Sequence, residues 1–82
     1  MNPDQIKQLI ENGLPESTAT VIGAEGKYEA TVVSPVFEGQ TMVKEHQMVY
    51  ATVRDQIASG ELHALSIKAY TPEEWDEKNA AS

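Results

Sequence analysis

Two periods of apolar and polar positions divide this chain, and the points where one gives way to the other mark its elements. Asn2-Pro3-Asp4-Gln5 opens a helix. Asn2 caps it, Pro3 suits the first helical position, and Asp4 lies favourably on the dipole. Ile6, Leu9 and Ile10 share one face before Asn12-Gly13 ends the run. Leu14-Pro15-Glu16 is a connector. "STATVI", Ser17 to Ile22, has the β-branched content of a strand, and "GAEG", Gly23 to Gly26, is a turn. "KYEATVVS", Lys27 to Ser34, brings the chain back until Pro35, so the two strands form an antiparallel hairpin.

After the short "PVFEGQT" turn, Thr41 caps a long helix over 42–59. Met42 or Val43, His46, Val49 or Tyr50, Val53 and Ile57 recur in it at helical spacing, and Gly60 stops it. Leu62 to Tyr70 reads as the third strand. Thr71-Pro72-Glu73-Glu74 is a capping box with proline at the first helical position. It opens a short helix containing Trp75, and residues 76–82 read as a frayed polar tail. The expected fold is α+β, a single small domain over residues 1–82 in the order α-β-β-α-β-α. A helix between strands two and three implies a right-handed crossover and a parallel pair. The result is a three-stranded mixed sheet with helices on one face.

Length and composition narrow the function. A chain of 82 residues supports two layers over a thin core, in which a deep substrate cleft is hard to build. With no cysteine there is no disulfide, zinc knuckle or thiol nucleophile, which suits a reducing compartment. No apolar run approaches the ~20 residues that span a bilayer. "MNPDQIKQLI" lacks the pattern of a secretory leader, so no membrane association and a cytoplasmic location are expected. Six Lys and Arg against thirteen Asp and Glu give a net charge of −7. Lys44, Arg54 and Lys68 are scattered among acids such as Glu38, Glu45 and Asp55, with no basic stripe for phosphates. Nucleic acid is disfavoured rather than excluded, and protein partners with basic faces are the expected consequence.

Candidate chemistry is sparse. None of the serines lies in a G-x-S-x-G elbow, and Glu73 and Glu74 read as helix-start charges on the dipole. "GAEG" matches a G-x-x-G pattern, but it joins two strands and carries Glu25, whereas a KH loop joins two helices and clamps phosphates. His46 reads as a surface or boundary residue of the long helix. Strand alternation places His63, Leu65, Ile67 and Ala69 on one face, with Leu62, Ala64, Ser66, Lys68 and Tyr70 on the other. His63 would then sit at the rim of the layer, fixed by a strand yet reachable. That suits a metal-ligating imidazole, and it equally suits an ordinary strand-edge histidine.

Two longer stretches carry a resemblance. "HALSIKAYTPEEW" closely resembles the C-terminal signature of the BolA family, especially its IbaG (YrbA-like) bacterial branch. "VFEGQTMVKEHQMVY" resembles that family's F-[DE]-G turn and following helix. Length and element order agree over nearly the whole chain, while the N-terminal third agrees in pattern only. The resemblance implies a class II KH-like fold and a non-enzymatic role. It also implies partnership with a monothiol, CGFS-type glutaredoxin through a [2Fe-2S] cluster shared with the glutaredoxin cysteine and a glutathione thiol.

The family's signature histidine falls on His63, as a cluster ligand available only with the partner. Histidine in place of a thiolate lowers the negative charge around a cluster and raises its potential. A second ligand, His or Cys, often comes from the loop between the first two strands. That position aligns at about Lys27, where neither Lys27 nor its neighbours offers one. A weaker cluster, or an apo partnership, is therefore expected. Lys68, Tyr70, Thr71 and Trp75 form the candidate partner surface. The alternatives are a KH-like DNA-binding regulator of a stress or envelope response, and an interaction module without metal. Weak homodimerisation stays open.

Overall fold

Residues 1–80 are described in a computed structural model of the chain. The first helix, α1 (Pro3–Gly13), begins with a reciprocal cap: the Asn2 side chain accepts from Gln5 N–H, and the Gln5 side chain accepts from Asn2 N–H, each at 2.9 Å. Strands β1 (Thr18–Ala24) and β2 (Lys27–Val33) pair antiparallel. Their two-residue turn, Glu25-Gly26, has positive φ at both positions (55° and 81°). That backbone matches the twist of a hairpin and needs a residue such as glycine. A 3₁₀ turn over Pro35–Phe37 buries Phe37 and leads to α2 (Met42–Thr52), α3 (Arg54–Ser59), β3 (Ala64–Tyr70) and α4 (Pro72–Ala80).

The strands are ordered β1-β2-β3, and β2 pairs β3 in parallel, as the crossover requires. One sheet face, carrying Ala19, Tyr28, Ala30, Val32, Leu65 and Ile67, is buried with Ile6 and Ile10 of α1 and Val49 of α2. The opposite face presents Thr20, Thr31 and Lys68 in one cross-strand row, and Thr18, Val33 and Tyr70 in the next. A Lys7–Glu11 pair ties α1 to β1. Lys7 Nζ donates to Glu11 (2.7 Å) and to Ala19 C=O (2.8 Å), and Ala19 N–H donates to Glu11 (3.0 Å).

Four expectations need correction. The helices are not all on one face, since Trp75 of α4 lies with Thr18, Thr20, Thr31 and Val33 on the sheet face opposite α1. The helix over 42–59 is two helices: Val53, at φ −123° and ψ 19°, interrupts it, and its N–H reaches only to Tyr50 C=O. Thr52 Oγ1 donates to Val49 C=O at 2.6 Å, the local competition with the ladder that β-branched polar residues bring. Val49 and Val53 are in the core, whereas Met42, Val43, Tyr50 and Ile57 are exposed.

The third strand begins at Ala64 rather than Leu62. Leu62 lies ahead of the strand and is buried, so alternation does not extend to it, and His63 is exposed. The last helix runs to Ala80, past the expected fray at Asp76, while the tail's final two positions, 81–82, lie outside the described residues. The capping box that starts it is present: Thr71 N–H donates to Glu74 Oε1 (2.8 Å) and Glu74 N–H to Thr71 Oγ1 (3.2 Å).

Candidate metal-ligand site and partner surface

His63 is positioned by its main chain. Its N–H and that of Ala64 both donate to Gly26 C=O, at 2.8 and 2.9 Å, so the residue is pinned to the β1–β2 turn before β3 begins. The ring lies against Gly26, which is buried, and a Cβ on Gly26 would collide with His63 Cδ2. Glycine at that position therefore serves twice, as the turn residue and as the floor beneath the imidazole. The side chain is exposed, and among the described residues its ring nitrogens hydrogen-bond to no protein group. An imidazole that is oriented, accessible and unbonded has what a metal ligand requires.

Its surroundings limit what it can hold alone. Among the described residues no three His, Cys, Asp or Glu side chains group so as to bind a metal ion. Lys27 begins β2 directly opposite Ala64, so the end of the β1–β2 turn lies beside His63 and brings an amine there. His46 is half-buried on α2 beside residues 67–70, towards the other end of β3. The two histidines are not brought together.

The expected partner surface lies at that far end, roughly 20 Å along the strand at ~3.3 Å per residue. Lys68 is exposed and pairs with Glu29 at 3.1 Å. The hydrogen bond from Lys68 to Glu29, reinforced by charge, raises the Lys68 pKa above its ordinary value. The Tyr70 and Trp75 rings meet at 5.4 Å between centroids, tilted by 55°, and Lys78 Nζ lies 5.7 Å over Tyr70. Trp75 thereby covers a shallow groove of about 260 Å³ with Thr18, Thr20, Thr31 and Val33, on the face opposite α1. Thr71 is engaged in the capping box. Lys68, Tyr70 and Trp75 thus form one cluster, and His63 stands apart from it.

A family model described as "BolA-like protein" matches residues 10–74. The chain belongs to the BolA family. It is 36% identical over 75 residues to the acid stress protein IbaG of Escherichia coli K12, a match spanning 92% of this chain and 89% of that one. It is 40% identical over 75 residues to a protein from the rpoN-murA intergenic region of Acinetobacter guillouiae, covering 92% and 90% respectively. The solved structure of a BolA homologue from Coxiella burnetii superposes with a TM-score of 0.85 at 42% identity, over 93% of this chain and 97% of that one. The IbaG branch of the family is supported, and so is the α+β architecture with its three-stranded mixed sheet. Among the described residues no helix is long and apolar enough to cross a membrane.

The sequence reading missed one feature of the site: Gly26 as the seat of the imidazole. The signal was available in the glycine that follows Glu25, but only as a turn residue. Its contact with His63 depends on parallel pairing across many intervening residues.

Proposed function

We propose that this chain is a non-enzymatic adaptor in iron–sulfur cluster handling or iron signalling, and that it partners a monothiol glutaredoxin. In this reading His63 contributes one imidazole to a [2Fe-2S] cluster whose other ligands come from the glutaredoxin cysteine and glutathione. The observation that carries it is the exposed, unbonded imidazole of His63 fixed against Gly26. The described residues fit a one-ligand contribution to a shared cluster and include no group of three ligands for a metal site of their own.

When bound, such a cluster would supply a redox centre whose potential an imidazole ligand raises relative to thiolate. The chain's own part is to present and orient the ring. The main-chain bonds of His63 and Ala64 to Gly26 fix the ring's origin, and the buried Gly26 beneath it limits its swing. With Lys27 where a second ligand would stand, the cluster should be weakly held, and heterodimerisation without it is the fallback state. Family membership and the "HALSIKAYTPEEW" signature support the assignment.

The test is reconstitution. The purified chain is mixed with a monothiol glutaredoxin, glutathione, iron and sulfide, and visible absorption and circular dichroism are compared with those of the glutaredoxin homodimer. A heterodimer with an altered cluster spectrum is expected. Absence of any heterodimer, with or without iron, would overturn the assignment.

A further inference from the structure

The outer edge of β3 carries a binding opportunity separate from His63. β3 is the last strand of the sheet, so one side of its backbone faces no neighbouring strand. Ala64 N–H and Tyr70 C=O bond towards the hairpin, to Gly26 C=O and from Ser34 N–H, which fixes the alternation. Ala64, Ser66, Lys68 and Tyr70 direct their backbone groups towards β2, while Leu65, Ile67, Ala69 and Thr71 direct theirs outward. The two ends of the outward row are already occupied. Tyr50 Oη donates to Leu65 C=O at 2.8 Å, and Thr71 N–H is held by Glu74. Between them Ile67 and Ala69 each present an N–H and a C=O into a groove of about 230 Å³, walled by Met42, Glu45 and His46 of α2.

Unpaired edge groups in a groove select an extended chain, because a helix satisfies its own backbone donors and acceptors. Charge selects further. Glu45 is half-buried, and its carboxyl is held above the ordinary glutamate range by burial and then by the nearby Glu74 carboxylate. Glu45 is the acid among the residues lining this groove, and the groove's Lys68 is already paired with Glu29, so an occupant that brings a cation to Glu45 fits the site. A second copy of this chain would bring another −7 of charge.

We propose that Ile67 and Ala69 dock an extended basic segment of a partner protein by strand addition, with a Lys or Arg side chain reaching Glu45. Exposed Met42 flanks the groove and offers apolar contact to the added strand's alternate side chains. The segment is short, about three to five residues, since among the described residues two outward positions are open. This site is independent of His63 and would operate whether or not a cluster is bound.

The experiment uses the ¹⁵N-labelled chain and two probes, acetyl-Val-Thr-Lys-Val-Thr-amide and the same peptide with Glu in place of Lys. The Lys peptide should shift the Ile67 and Ala69 amides and slow their hydrogen exchange, and the Glu peptide should bind roughly three- to tenfold more weakly. Ala69→Pro removes an outward N–H while keeping the β2-side bonds, and should abolish the effect. Should that variant fold poorly, Glu45→Lys provides the second test, since it should invert the preference between the probes. Equal binding of both probes, shifts confined to the Thr18–Trp75 face, or no shifts at millimolar peptide would overturn the proposal. Concentration-dependent shifts at Ile67 and Ala69 without peptide would also overturn it, by making the occupant a second copy.

Discussion

At the Tyr70 end of β3 the conspicuous side chains are partnered, whereas at the other end His63 is exposed and unbonded. Lys68 pairs with Glu29, Tyr70 packs on Trp75, and Thr71 and Glu74 cap each other. The imidazole of His63, by contrast, touches a glycine and hydrogen-bonds to no protein group among the described residues. The signature that spans both ends is therefore of two kinds. Its C-terminal half holds α4 onto the sheet, and its first residue stabilises little. A side chain fixed in place without a structural partner is the stronger candidate for chemistry.

Substitutions at the two ends should separate these roles. The largest effect is expected at Gly26. Gly26→Ala combines a left-handed backbone with a collision against His63 and should cost about 2 kcal/mol in urea unfolding. Gly60→Ala has similar positive φ but open space around its added Cβ, and should cost only about 1 kcal/mol. In a His63→Ala background the excess at Gly26 should disappear. If the two glycines cost the same in the wild-type background, the ring does not rest on Gly26.

Trp75→Ala comes next. Losing the ring contact with Tyr70 should cost about 1.5 kcal/mol and raise amide exchange along α4. The amides around Gly26 and His63 should be undisturbed. Movement there would mean that the two ends are coupled and the comparison fails.

Glu11 lies away from both ends and serves as a control for pH. Its carboxyl is held below the ordinary glutamate range, first by the hydrogen bond from Lys7 and then by that from Ala19 N–H. Glu11→Gln should cost about 1 kcal/mol near neutral pH. A lowered folded-state pKa means that this contribution is complete above the unfolded-state value and disappears as pH falls through the folded one. The difference between wild type and variant should close over that acidic window. A gap independent of pH would assign the loss to packing.

The smallest expected effect concerns nucleic acid. The net charge is −7, and Lys68, on the open sheet face, already faces Glu29. Duplex DNA should bind only weakly and without sequence preference near physiological salt. Tight, sequence-dependent retardation in a gel would revive the regulator reading.

Local chemistry made much of this fold legible. The Asn2 cap, the Thr71–Glu74 box, the Gly60 stop and the parallel β2–β3 pair all follow from side-chain chemistry or crossover connectivity. The break at Val53 was hidden because helical spacing continues across it. It shows only in the backbone, where Val53 leaves helical dihedrals and its N–H turns back to Tyr50 C=O. Strand alternation failed at Leu62 for a related reason: the chain enters the core before it joins the sheet. His63 was legible as a candidate ligand, but its seat was not, because the contact with Gly26 is made by tertiary pairing.

The central claim is that His63 contributes a ligand to a cluster shared with a glutaredoxin, and one variant tests it directly. His63→Ala should leave the fold intact, costing about 1 kcal/mol or less, because the ring is exposed. The reconstituted heterodimer should show changed cluster absorption and circular dichroism and a shorter cluster lifetime against a chelator. His46→Ala should leave all three unchanged, and Lys27→His should lengthen the lifetime by supplying the missing loop ligand. If the heterodimer of His63→Ala forms and its cluster spectra and lifetime match those of wild type, the ligand role of His63 is wrong.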